Sequence, residues 1–387
     1  MKKYLITDYG VKENCKDLQT AELQTVLDLC KDAGGTVVIP RGRFYVGALR
    51  MWSNTTLYLE TCAELFGSDD CNDYEVFAIP EGVEMRSDME LITQYYGTPW
   101  DTYRRAIITA YGEKNISIIG ERDSVIDGAD CYDPDGEEHY RGPHAIFFSC
   151  CENVHLEGYT VQNSGNFLHE ANNCKNLVMR HVTCLAGSDG IHLHCTENAL
   201  IEECVFKTGD DCIAGINIKN MTVRRCIFNT SCDLFRMGGV GVFVEDCYSY
   251  GPGFYPHRMT VVKGKNDYLP RTEGRHNTCY GIVYFASMNY PYLPSDIHFK
   301  NCLFDGLKAV LHDKADGDVL QRGTHLGELT FENVRFMNLH KSSSPVGNEK
   351  VPMTIRLKNV SFSFSEDSED SEPFRIGEHS HVTLIEE

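Results

Sequence analysis

The sequence is poor in positive charge: 36 Lys and Arg stand against 56 Asp and Glu, a formal net charge of -20. Duplex binding rests on clustered cations that neutralise phosphates, so this balance argues against nucleic acid as a partner. An anionic ligand would need a local basic patch working against the overall field. Long apolar runs are also missing. No stretch reaches the roughly 18 apolar residues of a membrane span, so no membrane partner is expected. The opening Met1-Lys2-Lys3-Tyr4-Leu5-Ile6-Thr7-Asp8 begins like a secretory leader. Asp8 then interrupts the apolar segment short of the roughly 7–15 residues that a leader's core needs. None of the 17 cysteines forms a C-x-x-C pair, so no zinc site is read here. No other cofactor is expected either.

What the chain does have is period. Cys204, Cys226, Cys247 and Cys302 share one phase, and Cys151, Cys174 and Cys195 another. Free cysteine is a small, well-buried apolar residue, so these spacings predict stacked thiols, not disulfides. The expected setting is a reducing cytoplasm. An Asn precedes an alternating strand at Asn153, Asn176, Asn198 and Asn220, with steps of 23, 22 and 22 residues. Asn115 and Asn359 open similar strands. Short β-branched runs separated by turn residues at such intervals are the signature of a solenoid. The fold class is therefore all-β, a single-stranded right-handed parallel β-helix with an N-terminal capping helix. That helix is expected over residues 17–33, carried by Leu18, Ala21, Leu23, Val26, Leu27 and Cys30 and ended by Gly34-Gly35. One domain is expected over residues 1–387. Residues 70–104 and 248–278 break the period as long loops, the second of them at the active site, and residues 363–387 read as an acidic, solvated tail.

Carboxylates follow the same period. Asp189, Asp211 and Asp233 lie 22 residues apart, and Asp210 sits beside the middle one. In a stacked fold they form a column with steps of roughly 4.8 Å. Two charges at that separation repel by roughly 3 kcal/mol at an effective dielectric near 20. Asn would serve turn chemistry without that repulsion, so the column points to use of the charges.

The strings around these acids resemble one family. Ser188-Asp189-Gly190-Ile191 followed one coil later by Thr208-Gly209-Asp210-Asp211-Cys212-Ile213-Ala214 resembles glycoside hydrolase family 28, the polygalacturonases. Arg141-Gly142-Pro143, Asn163-Ser164-Gly165-Asn166-Phe167 and Leu65-Phe66-Gly67-Ser68-Asp69-Asp70 are similar to its earlier coils. The resemblance implies inverting hydrolysis of a glycosidic bond. It implies Asp210 as the general acid, with Asp189 and Asp211 holding and deprotonating the water. Inversion uses carboxyls about 6.5–9.5 Å apart, a separation that acids on neighbouring coils can reach diagonally. Asp210 and Asp211 are consecutive, so they must lie at a corner, which Gly209 is expected to permit.

The chain also departs from that family. Where its sequences carry Gly-His-Gly, this one has Ser231-Cys232-Asp233. The Arg-Ile-Lys string has only Val261-Val262-Lys263 as an echo. Substrate contacts are therefore sought in the loop over residues 248–278, in Tyr255, His257, Arg258, Lys263, Lys265, Arg271, Arg275 and His276. Asp233, His169 and His192 are added as residues lining the cleft. The expected activity is exo-hydrolysis of oligosaccharides from pectin or a related plant cell-wall polysaccharide. Two alternatives stay open: a uronate lyase or epimerase on the same fold, and a non-catalytic carbohydrate-binding solenoid.

Overall fold

The structure is a computed structural model that describes residues 2–83, 99–136, 138, 140–257, 274–284, 294–313, 326–347 and 349–387. These fall into two compact units, one reaching His192 and the other starting at Leu193. Both are stacks of short parallel strands, the parallel β-helix architecture, and among the described residues no helix is long and apolar enough to cross a membrane.

In the first unit, three ladders of strands carry successive coils. Gly35–Ile39 pairs with Thr55–Leu59, which pairs with Lys114–Gly120, then Glu152–Glu157 and Lys175–Arg180. Ala106–Tyr111, His144–Ser149 and His169–Asn172 form a second ladder. Gly42–Val46, Ala63–Gly67, Val125–Asp127, Thr160–Gln162 and Thr183–Leu185 form the third. Val154 pairs with Leu177, the 23-residue step of the sequence. Strand residues alternate between core and surface, as in Thr55–Leu59, where Thr55, Leu57 and Leu59 are buried. The second unit repeats the pattern in steps of 22, with Val205 paired to Ile227 and Ile213 to Phe235. Its core carries aromatic stacks, among them Phe206 on Phe228 at 5.4 Å and Phe336 on Phe362 at 5.3 Å.

The asparagines do structural work at the coil corners. Asn54, Asn115, Asn153 and Asn176 all adopt left-handed backbone angles near φ +57°, between 55° and 59°. Asn tolerates this region better than most residues. Each side chain donates to the one on the coil before it: Asn115 to Asn54 at 2.8 Å, Asn153 to Asn115 at 2.9 Å and Asn176 to Asn153 at 3.0 Å. In the second unit Asn220 donates to Asn198, and Asn359 to Asn333.

Three expectations change. The helix runs only over Thr20–Asp28, burying Leu23, Val26 and Leu27 and leaving Leu18 exposed. The acidic stretch at the C-terminal end is not a free tail: Val382–Glu386 is a strand paired with Met353–Lys358, and Phe374 is buried. Val382, Leu384 and Ile385 are half-buried on this strand. Cys151 and Cys174 stack as buried thiols, but Cys195 does not share their environment. With φ 51°, Cys195 occupies a half-buried corner and accepts a contact from Asn217 Nδ2 at 3.6 Å. The ladder of Cys204, Cys226, Cys247 and Cys302 is present, each member buried.

Candidate active site

In the first unit, Asp189 follows a corner made by Ala186 and Gly187, both left-handed at φ 52° and 68°. A Cβ on Gly187 would lie 2.8 Å from the Leu168 side chain, so glycine is needed there. The Ser188 N–H donates to the Asn166 carbonyl, and the Leu168 N–H to the Asp189 carbonyl at 2.9 Å. The Asp189 carboxylate is buried and lies 3.1 Å from His192 Nδ1. Glu170 Oε2 is 3.9 Å from the same nitrogen, and Phe167 packs on the imidazole at 4.4 Å between centroids. Arg141, also buried, ion-pairs with Glu138 at 2.7 Å and lies over the Phe167 ring. His192 thus stands beside Asp189.

His169 turns inward instead. Its Nε2 meets the Tyr159 hydroxyl at 2.9 Å and its Nδ1 the Gly190 carbonyl at 2.8 Å. Burial pushes its pKa down to about 4, partly opposed by the Gly190 hydrogen bond. Both nitrogens are spent on the coil interior, so His169 is a structural histidine and not a cleft residue.

In the second unit the corner before Asp211 is built by hydroxyls. Gly209 is not among the left-handed glycines. Instead, Thr208 Oγ1 donates to the Asp210 carbonyl at 2.8 Å, and Thr230 Oγ1 donates to the same oxygen. This holds the main chain where two consecutive carboxylates can serve one site. Asp211 is 1 % exposed and Asp210 is 8 % exposed. The Asp211 carboxylate accepts from the Asp233 N–H at 3.3 Å, and Asp233 in turn accepts from the Tyr280 N–H at 3.0 Å. Arg236 Nη1 stands 4.0 Å from Asp211 Oδ2.

The charge balance raises the pKa of Asp211 well above the ordinary carboxylate value. Burial is the main cause, the Asp233 and Asp210 charges add to it, and Arg236 opposes it. Burial and like charge thus favour the protonated form of Asp211. The upward push is recorded at Asp211, one position from the Asp210 expected to carry the proton. Cys232, in the place of the missing histidine, is also pushed up, by burial first and then by Asp233, Asp211 and Asp210.

Of the segment 248–278, residues 248–257 and 274–278 are described. Gly253 lies against the Asp233 coil so closely that a Cβ would fall 2.1 Å from Ser231 Oγ. Tyr255 is buried, and its carbonyl accepts from Ser231 Oγ. His257 Nε2 comes within 3.6 Å of Asp210 Oδ1, and its N–H donates to the Arg275 carbonyl at 2.7 Å. The Arg275 guanidinium reaches the Ser231 carbonyl at 3.5 Å. His276 Nδ1 bonds the Gly253 carbonyl at 2.8 Å, so it braces the loop rather than the acids. Arg258, Lys263, Lys265 and Arg271 lie outside the described residues. Arg236 and Glu170 were missed. Arg236 falls 22 residues after Ala214, its strand partner, so the period could have found it. Glu170 pairs with Phe147 and gave no motif signal.

Fold and site together define a class: a parallel β-helix with a buried carboxylate cluster at a coil corner. The profile of glycosyl hydrolases family 28 matches residues 80–233. The chain is 26 % identical over 256 residues to the exo-poly-alpha-D-galacturonosidase of Dickeya chrysanthemi, covering 54 % of this chain and 41 % of that one. It is 24 % identical over 255 residues to a probable polygalacturonase of Vitis vinifera, covering 57 % and 48 %. The chain thus spans less than half the length of each of these relatives. The crystal structure of a hyperthermoactive exopolygalacturonase from Thermotoga maritima superposes with a TM-score of 0.70 at 15 % identity, over 100 % of this chain and 91 % of that one, which shows the shared fold.

Proposed function

We propose that this protein hydrolyses O-glycosyl bonds in pectin-related, uronate-containing oligosaccharides, releasing units from one end, with inversion at the anomeric carbon. The observation that carries the reading is the buried Asp210–Asp211–Asp233 cluster, where burial and the neighbouring charges push the Asp211 carboxyl above the ordinary range, inside the segment that matches the family profile. An acid catalyst at neutral pH needs such an environment. Asp210, the more exposed of the adjacent pair and the one facing His257, delivers the proton to the leaving oxygen. Asp189, with His192 Nδ1 at 3.1 Å, takes the proton of the attacking water. Asp211 shares the cluster's proton with Asp210 and holds the water.

One oxygen of Asp210 and one of Asp211 lie within 4.8 Å of one another, close enough to share a proton, so these two are not the acid and base that stand about 6.5–9.5 Å apart across the water of an inverting site. Retention would need an ionised nucleophile, and Asp211 is the carboxyl whose charge the site disfavours. That argues for water as the nucleophile. Arg236, Arg275 and His257 are the described groups proposed to meet a sugar carboxylate by charge-assisted hydrogen bonds. A reducing cytoplasm is the proposed setting, consistent with buried thiols such as Cys204 and Cys226.

The test is incubation with α-linked galacturonate oligosaccharides of defined length. Monosaccharide released from one end, with loss of turnover in Asp210→Asn, is the expected result. Equal release of internal fragments would remove the exo reading. A product absorbing in the near ultraviolet would indicate the lyase, and unaltered ligand affinity without turnover the binding module.

A further inference from the structure

We propose that Asp210, Cys232 and His257, joined by Asp233, form a binding site for a thiophilic divalent metal ion of the zinc class. No local motif announces this site, because the donors come from three separate segments spaced 22 and 25 residues apart. The coil stacking brings them together. One carboxylate oxygen of Asp210, the Cys232 sulfur and a ring nitrogen of His257 all lie within 4.8 Å of one another, and Asp211, Cys232 and Asp233 do the same. Cys232 belongs to both groups and sits at their centre.

Two of the donor–donor edges already have metal-like lengths. His257 Nε2 to Asp210 Oδ1 is 3.6 Å, and Cys232 Sγ to Asp233 Oδ2 is 3.6 Å. Tetrahedral zinc with its usual bonds to N, O and S places adjacent donors roughly 3.4–3.6 Å apart. The Asp210–Cys232 and Cys232–His257 edges lie within 4.8 Å. The carriers are firmly held: the Cys232 N–H donates to Thr230 Oγ1 at 3.0 Å and its carbonyl accepts from the Cys279 N–H at 2.7 Å. Asp210 is fixed by the two threonine hydroxyls, and the His257 main chain by Arg275.

The donor set selects the ion. Calcium and magnesium take oxygen ligands, whereas a mixed thiolate, imidazole and carboxylate set suits zinc and its neighbours. Charge favours it as well. Three carboxylates share this buried volume, with Arg236 at 4.0 Å from Asp211 as the opposing cation. A dication relieves their repulsion. The substitution of Cys232-Asp233 for a family histidine and glycine is what supplies the sulfur and the fourth donor.

If Asp210 is the acid of the proposed hydrolase, metal binding ties up its carboxylate and stops turnover reversibly. That consequence rests on the functional reading, but the binding itself does not. The experiment uses the full chain, reduced and stripped with chelator, titrated with Co²⁺ while absorbance is followed, and with Zn²⁺ in competition. One equivalent of cobalt with a thiolate-to-metal charge-transfer band, displaced by one equivalent of zinc, is expected. Cys232→Ser abolishes the band, and His257→Gln weakens binding about tenfold or more. Cys62→Ser, at an exposed cysteine remote from these ligands in sequence, keeps the band. Circular dichroism of each variant checks folding, and His257→Gln retains the test if Cys232→Ser does not fold. Absence of the band, or its persistence in folded Cys232→Ser, overturns the proposal. A cobalt band in a protein that cleaves no oligosaccharide would leave the metal site standing and count against the hydrolase alone. Zinc inhibition reversed by chelator and lost in Cys232→Ser would join the two.

Discussion

Replacing Asp211 by Asn should make this protein more stable at neutral pH while removing its proposed activity. Asp211 is fully buried, its oxygens lie within 4.8 Å of both Asp210 and Asp233, and Arg236 is 4.0 Å away. At an effective dielectric near 20 each repulsion is about 3.5 kcal/mol and the attraction about 4 kcal/mol. The two repulsions outweigh the single attraction by about 3 kcal/mol when all groups are charged, before any cost of burial. The folded state therefore binds the Asp211 proton more tightly than the unfolded state. A group raised in this way contributes its full stability below the unfolded carboxylate range, about pH 3.9. That contribution is lost as pH rises toward the elevated folded value. Asn carries no charge at any pH and keeps an oxygen for the Asp233 N–H. In thermal unfolding at pH 4 the variant and the parent should match closely. At pH 8 the variant should unfold later, by roughly 5 °C for about 3 kcal/mol in a chain of this size. An equal shift at both pH values, or a less stable variant at pH 8, would refute the electrostatic reasoning.

Arg236→Gln should act with the opposite sign, lowering the unfolding midpoint at pH 8 and leaving it nearly unchanged at pH 4, since among the described residues it removes the cation that opposes the rise of Asp211. In the double variant with Asp211→Asn the pH-dependent loss should vanish, which a thermodynamic cycle by urea denaturation reads directly. Asn153→Ala gives up hydrogen bonds to Asn115 and from Asn176 and forces alanine to φ 58°. Urea unfolding should show a loss of about 1–2 kcal/mol, and Asn153→Gly should restore the conformational part. Gly253→Ala places a methyl 2.1 Å from Ser231 Oγ and must push the loop outward. The expected cost is about 2 kcal/mol, with a fall in turnover because His257 moves away from Asp210. A variant with unchanged unfolding and turnover would show that the loop does not need this close approach.

Much of this site was legible because period carries physical information in a stacked fold. The 22-residue step fixed which carboxylates share a corner in the second unit, and the register of Ile213 with Phe235 agrees with it. The asparagines were visible for the same reason: a left-handed corner repeated on every coil selects the residue that tolerates it and hydrogen-bonds along the stack. Period says less about which side of the wall a residue faces. His169–Asn172 is a four-residue strand buried on both sides, so alternation left no trace and His169 was assigned to the wrong face. Cys195 failed because a one-residue offset separates a core position from a corner. Arg236 lies in no contiguous Arg-Ile-Lys string and so carries no motif signal; its strand pairs with that of Ala214. The corner at Asp210 was anticipated, but its cause was not. Two threonine hydroxyls on one carbonyl, from Thr208 and Thr230, replace the glycine conformation that Gly209 suggested.

The central claim is that a buried carboxylate cluster directs water onto a glycosidic bond. Proton NMR of the first sugar released from an α-linked galacturonate oligosaccharide, recorded before mutarotation, tests it most directly. The account predicts the β-anomer as the initial product. An initial α-anomer would contradict it, turning one of the buried carboxylates from a water-holding group into a nucleophile.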